Sequence, residues 1–174
     1  MLTGDNVVLR PPAAADADAL YELAADLDSW EERVGQPPRA LTRELFDERF
    51  DTAQRDRGAD QVFVIESEGL VAGQCELFGV DHLARVSEVG IALLARARGR
   101  GLGTDAMRVL VEFAFTRLNL HRVHLSVLAD NAAAVRSYLR VGFVQEGRRR
   151  ESAWVRGQYV DEILMGLLRS EWAG

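Results

Sequence analysis

A single cysteine, Cys75, leaves this chain no internal disulfide and fits a reducing compartment, with the cytoplasm as the default. No apolar stretch approaches the roughly 20 residues that span a bilayer, and the N-terminus lacks a signal-peptide pattern, so no membrane association is expected. Positive charge is not in excess. The balance of 27 Asp and Glu against 21 Lys and Arg gives a net charge of −6, which argues against a nucleic-acid partner. The same charge suits a cationic substrate drawn to an acidic face, although many soluble proteins are equally acidic. Repeats, low-complexity tracts and linkers are absent, so residues 1–174 are expected to fold as one domain with a proper core. No metal is expected either: His121 and His124 lie three apart on a strand and face opposite ways, and His82 stands alone in a turn. Nothing around Cys75 suggests a thiolate nucleophile, and a strand cysteine is usually core.

What the sequence does hold is concentrated between Ser87 and Tyr138. An apolar β-like run, SEVGIALLA, leads into ARARGRGLG, a loop with three glycines and three arginines. That loop opens onto the helical segment TDAMRVLVEFAFTRL, for which Thr104 is the expected N-cap. Main-chain N–H groups freed by glycine, together with the positive end of a helix, make an anion site, typically for phosphate. A phosphate-binding P-loop needs a Gly-Lys-Ser/Thr ending, which is missing. The loose dinucleotide fingerprint is met by Gly101, Gly103 and Ala106, with Asp130 downstream. However, Ala95 to Arg98 separate the strand from the first glycine of that set, and too little chain follows Ala106 for a doubly wound sheet.

The loop does match Arg/Gln-x-x-Gly-x-Gly/Ala as Arg98-Gly99-Arg100-Gly101-Leu102-Gly103. Downstream, Asn131-Ala-Ala-Ala134-Val-Arg-Ser-Tyr138 is followed by Val141-Gly142-Phe143. On these motifs, in this order, the chain resembles the GNAT superfamily of acetyl-CoA-dependent N-acetyltransferases. Its ending, Glu146-Gly-Arg through Gly157-Gln-Tyr-Val-Asp and Leu164-Met-Gly, is similar to the branch of ribosomal-protein N-terminal and spermidine acetyltransferases. Patterning agrees. Val7–Arg10 reads as a strand stopped by Pro11-Pro12, and Asp16 as the cap of a helix carrying Leu20, Leu23, Ala24 and Leu27 on one face. Residues 28–38 read as a polar loop, and Leu41, Leu45, Phe46 and Phe50 as a second amphipathic helix. A hairpin over 61–80, a strand from Val86, the glycine-loop helix, and strands from His121, Phe143 and Gln158 around a helix from Asn131 complete an α+β chain. The resemblance implies the GNAT fold, a mixed central sheet of about seven strands with flanking helices.

The resemblance also implies chemistry. An amine attacks the acetyl thioester directly, with pantetheine inserted between two splayed strands and the diphosphate held from Arg98 through Thr104. Main-chain groups near Ile91 and Leu93 would hold pantetheine and the developing oxyanion. Asn131 and Tyr138 share one helix face, which puts Asn131 at the cofactor and makes Tyr138 the acid for the leaving thiolate. Glu88 is the leading base, Glu76 the second and Glu32 the third, each equally readable as a surface or ion-paired carboxylate. Trp30, Glu31 and Glu32 are acceptor-pocket candidates, although a solvated loop with one anchoring tryptophan accounts for them as well. The expected acceptor is a primary amine, either a protein N-terminus or a small polyamine-like molecule. The polyamine branch carries more acidic residues where this chain turns to Arg33-Val-Gly-Gln. An antibiotic amine, or a non-catalytic acyl-CoA-binding module, are the alternatives. The resemblance also admits a homodimer.

Overall fold

A computed structural model describes residues 1–33, 38, 40–55, 58 and 60–173, with the side chains of 54 and 55 left aside. Its strands are β1 (Leu2–Thr3), β2 (Val8–Arg10), β3 (Gln61–Ser67), β4 (Leu70–Asp81), β5 (Val86–Leu93), β6 (Arg122–Leu128), β7 (Val144–Val155) and β8 (Gln158–Leu168). The helices are α1 (Ala17–Ala25), α2 (Leu27–Glu31), α3 (Arg43–Arg55), α4 (Leu102–Thr116) and α5 (Ala132–Val141). The strands form one mixed sheet of eight in the order β1-β2-β3-β4-β5-β6-β8-β7. The strand beyond the expected seven is β1, whose two residues pair Leu2 with Leu9 and Thr3 with Val8, too short a run to leave a periodic signal.

Each face of the sheet is covered by a different set of helices. On one side α4 buries Ala106, Met107, Leu110, Val111, Ala114 and Phe115 against Leu9, Ile65, Cys75 and Leu77. On the other, Leu20 of α1 and Phe46 of α3 close over Val64. The strands alternate accordingly. Gln74, Glu76 and Phe78 stand opposite Ala92, Gly90 and Glu88 on the α1 face, while Cys75 and Leu77 point into the α4 core.

Three expectations in the N-terminal part of the chain give way. Asp16 does not cap α1: its buried carboxylate accepts from the Ala13 amide at 2.7 Å and from Arg10 at 2.7 and 2.8 Å, fastening the helix entrance to β2. The stretch from 28, expected as loop, begins with α2, a single helical turn capped by Asp26, whose Oδ1 accepts from the Ser29 amide at 3.1 Å. Of that polar stretch, residues 34–37 lie outside the described residues. Leu27, expected on the buried face of α1, sits on α2 instead and is exposed.

β5 and β6 make the one parallel pair among the described residues, as a strand–α4–strand crossover requires. They pair only at Val86–Arg122, Ser87–Val123 and Glu88–His124. Beyond that point β5 stays with β4 as far as Leu93, and β6 stays with β8 as far as Leu128. The sheet therefore splits in its middle, as the splayed-strand expectation required.

Candidate active site

The split opens into a cleft of about 1280 Å³ floored by β4 and β5 and walled by α2, α4 and α5. At one end lies the glycine loop. Gly99 and Gly101 take left-handed φ angles of 74° and 79°, and a Cβ on either would meet nothing within 4 Å. Gly101 starts α4, and the helix has no side-chain cap. Its first-turn N–H groups thus end in an open, main-chain-lined cradle at the positive helix end, which fits a diphosphate. Gly103 lets this turn settle onto the sheet: its Cβ would lie 3.3 Å from Leu93 Cδ1 and 3.9 Å from Ile91 Cδ1. The side chains of Ile91 and Leu93 thus pack beneath the helix start, while their main chain runs along the open edge of β5.

Several loop residues differ from expectation in detail. Thr104 is not the N-cap. It is the third residue of α4, and its hydroxyl shares a hydrogen bond of 2.8 Å with Ser137 Oγ, joining α4 to α5. The left-handed turn at Gly101 starts the helix before the threonine is reached. Arg100 leans out to Glu68 at 3.0 Å and does not border the cleft. Arg98 does border it, and donates to Glu32 Oε2 at 2.8 Å, Ser29 Oγ at 2.7 Å and the Leu93 carbonyl at 3.2 Å. Asn131 caps α5 through Oδ1, which accepts from the Ala134 amide at 3.0 Å, and its Nδ2 donates to the Glu32 carbonyl at 3.1 Å. Arg98 and Asn131 thus both grip the end of α2.

The same cleft is bordered by Trp30, Glu32, Arg33, Glu76, Glu88 and Tyr138. Tyr138 packs edge-on against Phe143, ring centroids 5.9 Å apart. Burial pushes its phenol up to about 12, with nearby Arg33 pulling the other way. The Glu76 carboxyl is also raised, first by burial and next by Asp60, against the opposing charge of Arg33. Space for that carboxylate comes from Gly90 across the ladder, where a Cβ would sit 3.1 Å from Glu76 Oε1. Glu31 does not reach the cleft. It meets Arg156 at 3.3 Å and lines a neighbouring hollow, because one residue of helical rotation separates it from Glu32.

Sequence reasoning missed Arg33, Gly90, Ser137 and Arg156. A glycine inside the strand SEVGIALL is a usable sign of close approach, and Gly90 was open to that reading. Arg156 sits in the β7–β8 turn at a φ of 46° and pairs with Asp28 at 3.0 Å, a contact between distant segments that leaves no local pattern. Burial pushes the Cys75 thiol up, which suits a core residue. Among the described residues no group of three His, Cys, Asp or Glu gathers as metal ligands, and no helix is long and apolar enough to cross a membrane.

A split sheet, a glycine cradle at a helix start and a tyrosine on the facing helix form the GNAT arrangement, and an acetyltransferase (GNAT) domain model matches residues 6–144. The chain belongs to this family of acetyl-CoA-dependent N-acetyltransferases. It is 29% identical over 174 residues to spermidine N(1)-acetyltransferase of Escherichia coli K12, covering 99% of this chain and 91% of that protein. It is 33% identical over 166 residues to the L-amino acid N-acetyltransferase of the same organism, covering 94% of this chain and 99% of the relative. The spermidine N-acetyltransferase of Vibrio cholerae, solved with CoA and spermine, superposes with a TM-score of 0.88 at 25% identity, covering 97% of this chain and 99% of that one.

Proposed function

We propose that the protein acetylates a primary amine in a ternary complex, with Tyr138 as the acid and Glu76 as the base. The observation that carries this reading is that Tyr138 and Glu76 border one cleft at the point where β5 leaves β6. Acetyl-CoA, when bound, supplies the acetyl thioester. Gly99, Gly101 and the first turn of α4 hold its diphosphate, and the open edge of β5 near Ile91 and Leu93 lines the path to the reacting carbon.

An incoming amine is mostly ammonium at neutral pH and must lose a proton before it can attack. Glu76 takes that proton, and its raised carboxyl makes it a stronger base than an ordinary glutamate. Glu88, the leading base on sequence grounds, lines the same face and becomes the alternative because the raised carboxyl is that of Glu76. Once the C–N bond forms and the C–S bond breaks, Tyr138 donates its proton to the departing sulfur, and the second amine proton leaves to solvent. A phenol near 12 stays protonated through the neutral range, ready to donate. Trp30 and Glu32 border the acceptor end of the cleft and take part in binding the amine.

Curated relatives are named for a polyamine and for L-amino acids, so the family leaves the acceptor open. Residence in the cytoplasm belongs to this reading and is supported by the lone buried Cys75. A homodimer does too, and β7, at one edge of the sheet, offers a surface for it. The test is CoA release from acetyl-CoA over a panel of polyamines, amino acids, N-terminal peptides and aminoglycosides. Turnover of at least one amine is expected. Binding of acetyl-CoA without release for any amine would make the protein a binding module instead.

A further inference from the structure

Among the described residues, the cleft is bordered by a half-buried cation that the transfer itself does not use. Arg33 is half-buried and borders the cleft beside Trp30, Glu76 and Tyr138. Its Nε donates to the Ser29 carbonyl at 3.0 Å, which fixes the plane of the guanidinium and leaves its two terminal amino groups. Among the described residues, no carboxylate stands within ion-pair distance of it. Two other arginines that meet the α2 region are matched: Arg98 has Glu32 at 2.8 Å, and Arg156 has Asp28 at 3.0 Å and Glu31 at 3.3 Å. Of the carboxylates that line the cleft with Arg33, Glu32 is paired with Arg98, Glu162 with Arg149, and Glu76 is committed to the amine with Glu88 as its alternative. Burial first, and next the like charge of Arg98, work against the Arg33 cation, and the more distant charges of Asp26 and Glu76 offset them only in part, yet a guanidinium does not give up its proton in proteins. A desolvated charge of this kind is poorly compensated until an anion arrives.

We infer that Arg33 receives a carboxylate carried by the acceptor, so that the substrate is an amine bearing its own acid group, such as a free α-amino acid. This rests on the reading of the cleft as an amine acetylation site. A planar fork with Nε already engaged offers its two terminal amino groups to a carboxylate, an arrangement that suits bidentate binding. The two ends of a zwitterion then meet opposite charges in one cleft, ammonium at Glu76 and carboxylate at Arg33. A polyamine offers Arg33 only further positive charge. A peptide N-terminus carries a neutral amide where the carboxylate should be.

The experiment uses the full chain with saturating acetyl-CoA and matched sets of one α-amino acid, its carboxamide and its decarboxylated amine, for several side chains. Wild type is expected to favour the acid over the carboxamide by about tenfold or more in kcat/KM, the scale of one charge-assisted pair, expressed mainly in KM. Arg33→Gln is expected to bring that ratio to about one, and Arg33→Lys to restore part of it. CoA affinity, measured separately, reports whether the variant retains the cofactor site. If the variant loses CoA binding as well, the wild-type ratio alone decides. Equal use of acid and carboxamide by wild type, or an equal loss on both in Arg33→Gln, would overturn the inference while leaving amine acetylation standing. No turnover of any amine would overturn both.

Discussion

The two ends of the cleft are built by opposite means. On the proposed reading, the cofactor end comes from one continuous stretch, the tail of β5, the loop and the first turn of α4, and offers main-chain groups shaped by Gly99 and Gly101. The acceptor end draws Trp30, Glu32 and Arg33 from around α2, Glu76 from β4 and Glu88 from β5, and its contacts are side chains. A diphosphate is the same in every member of the family, so backbone geometry suffices for it. An acceptor varies, and charged side chains from separate segments are the means to discriminate it. Where the two ends meet, Arg98 and Asn131 tie the end of α2 to the cofactor loop and to α5.

If this division holds, substitutions should sort by the quantity they change. Tyr138→Phe acts at the junction and is expected to lower kcat by roughly 10²-fold or more, with acetyl-CoA binding little altered. A rate within about threefold of wild type would remove Tyr138 from the reaction, since that ratio is under about 1 kcal/mol. Glu76→Gln acts at the acceptor end and is expected to cost about ten- to a hundredfold in kcat/KM near neutral pH. Wild type should lose activity as pH falls through the raised Glu76 value, because the protonated acid can no longer accept from the amine. That acid limb should lie above the ordinary carboxylate range, vanish in Glu76→Gln and persist in Glu88→Gln. A limb lost only in Glu88→Gln would transfer the role to that residue.

Gly101→Val acts at the cofactor end and is expected to weaken CoA binding by about tenfold, whatever the amine. A branched residue at a φ of 79° is strained by about 1–3 kcal/mol even where the space is open. Gly101→Asn, which tolerates this region, should recover much of the loss. Unequal effects on CoA from different amines would break the division between the two ends.

The same contrast explains what could be read in the sequence. Glycines at 99, 101 and 103 specify their loop locally, so the loop and its helix were legible, whereas the split sheet was expected only from the family resemblance. Thr104 misled because its capping preference is genuine, but a left-handed Gly101 starts the helix earlier. β1 was invisible because two residues carry no period. Glu31 and Glu32 looked equivalent until α2 turned one to Arg156 and the other to Arg98. Arg33 was passed over because what marks it is the lack of an ion pair among the described residues, a property of the folded chain that no run of letters displays.

Determining the structure with CoA bound tests the central claim most directly. The account predicts the pantetheine arm between β5 and β6, the diphosphate over Gly99 to Gly103, and the sulfur within hydrogen-bond reach of the Tyr138 hydroxyl. CoA seated outside the split, or a sulfur beyond reach of that hydroxyl, would contradict it.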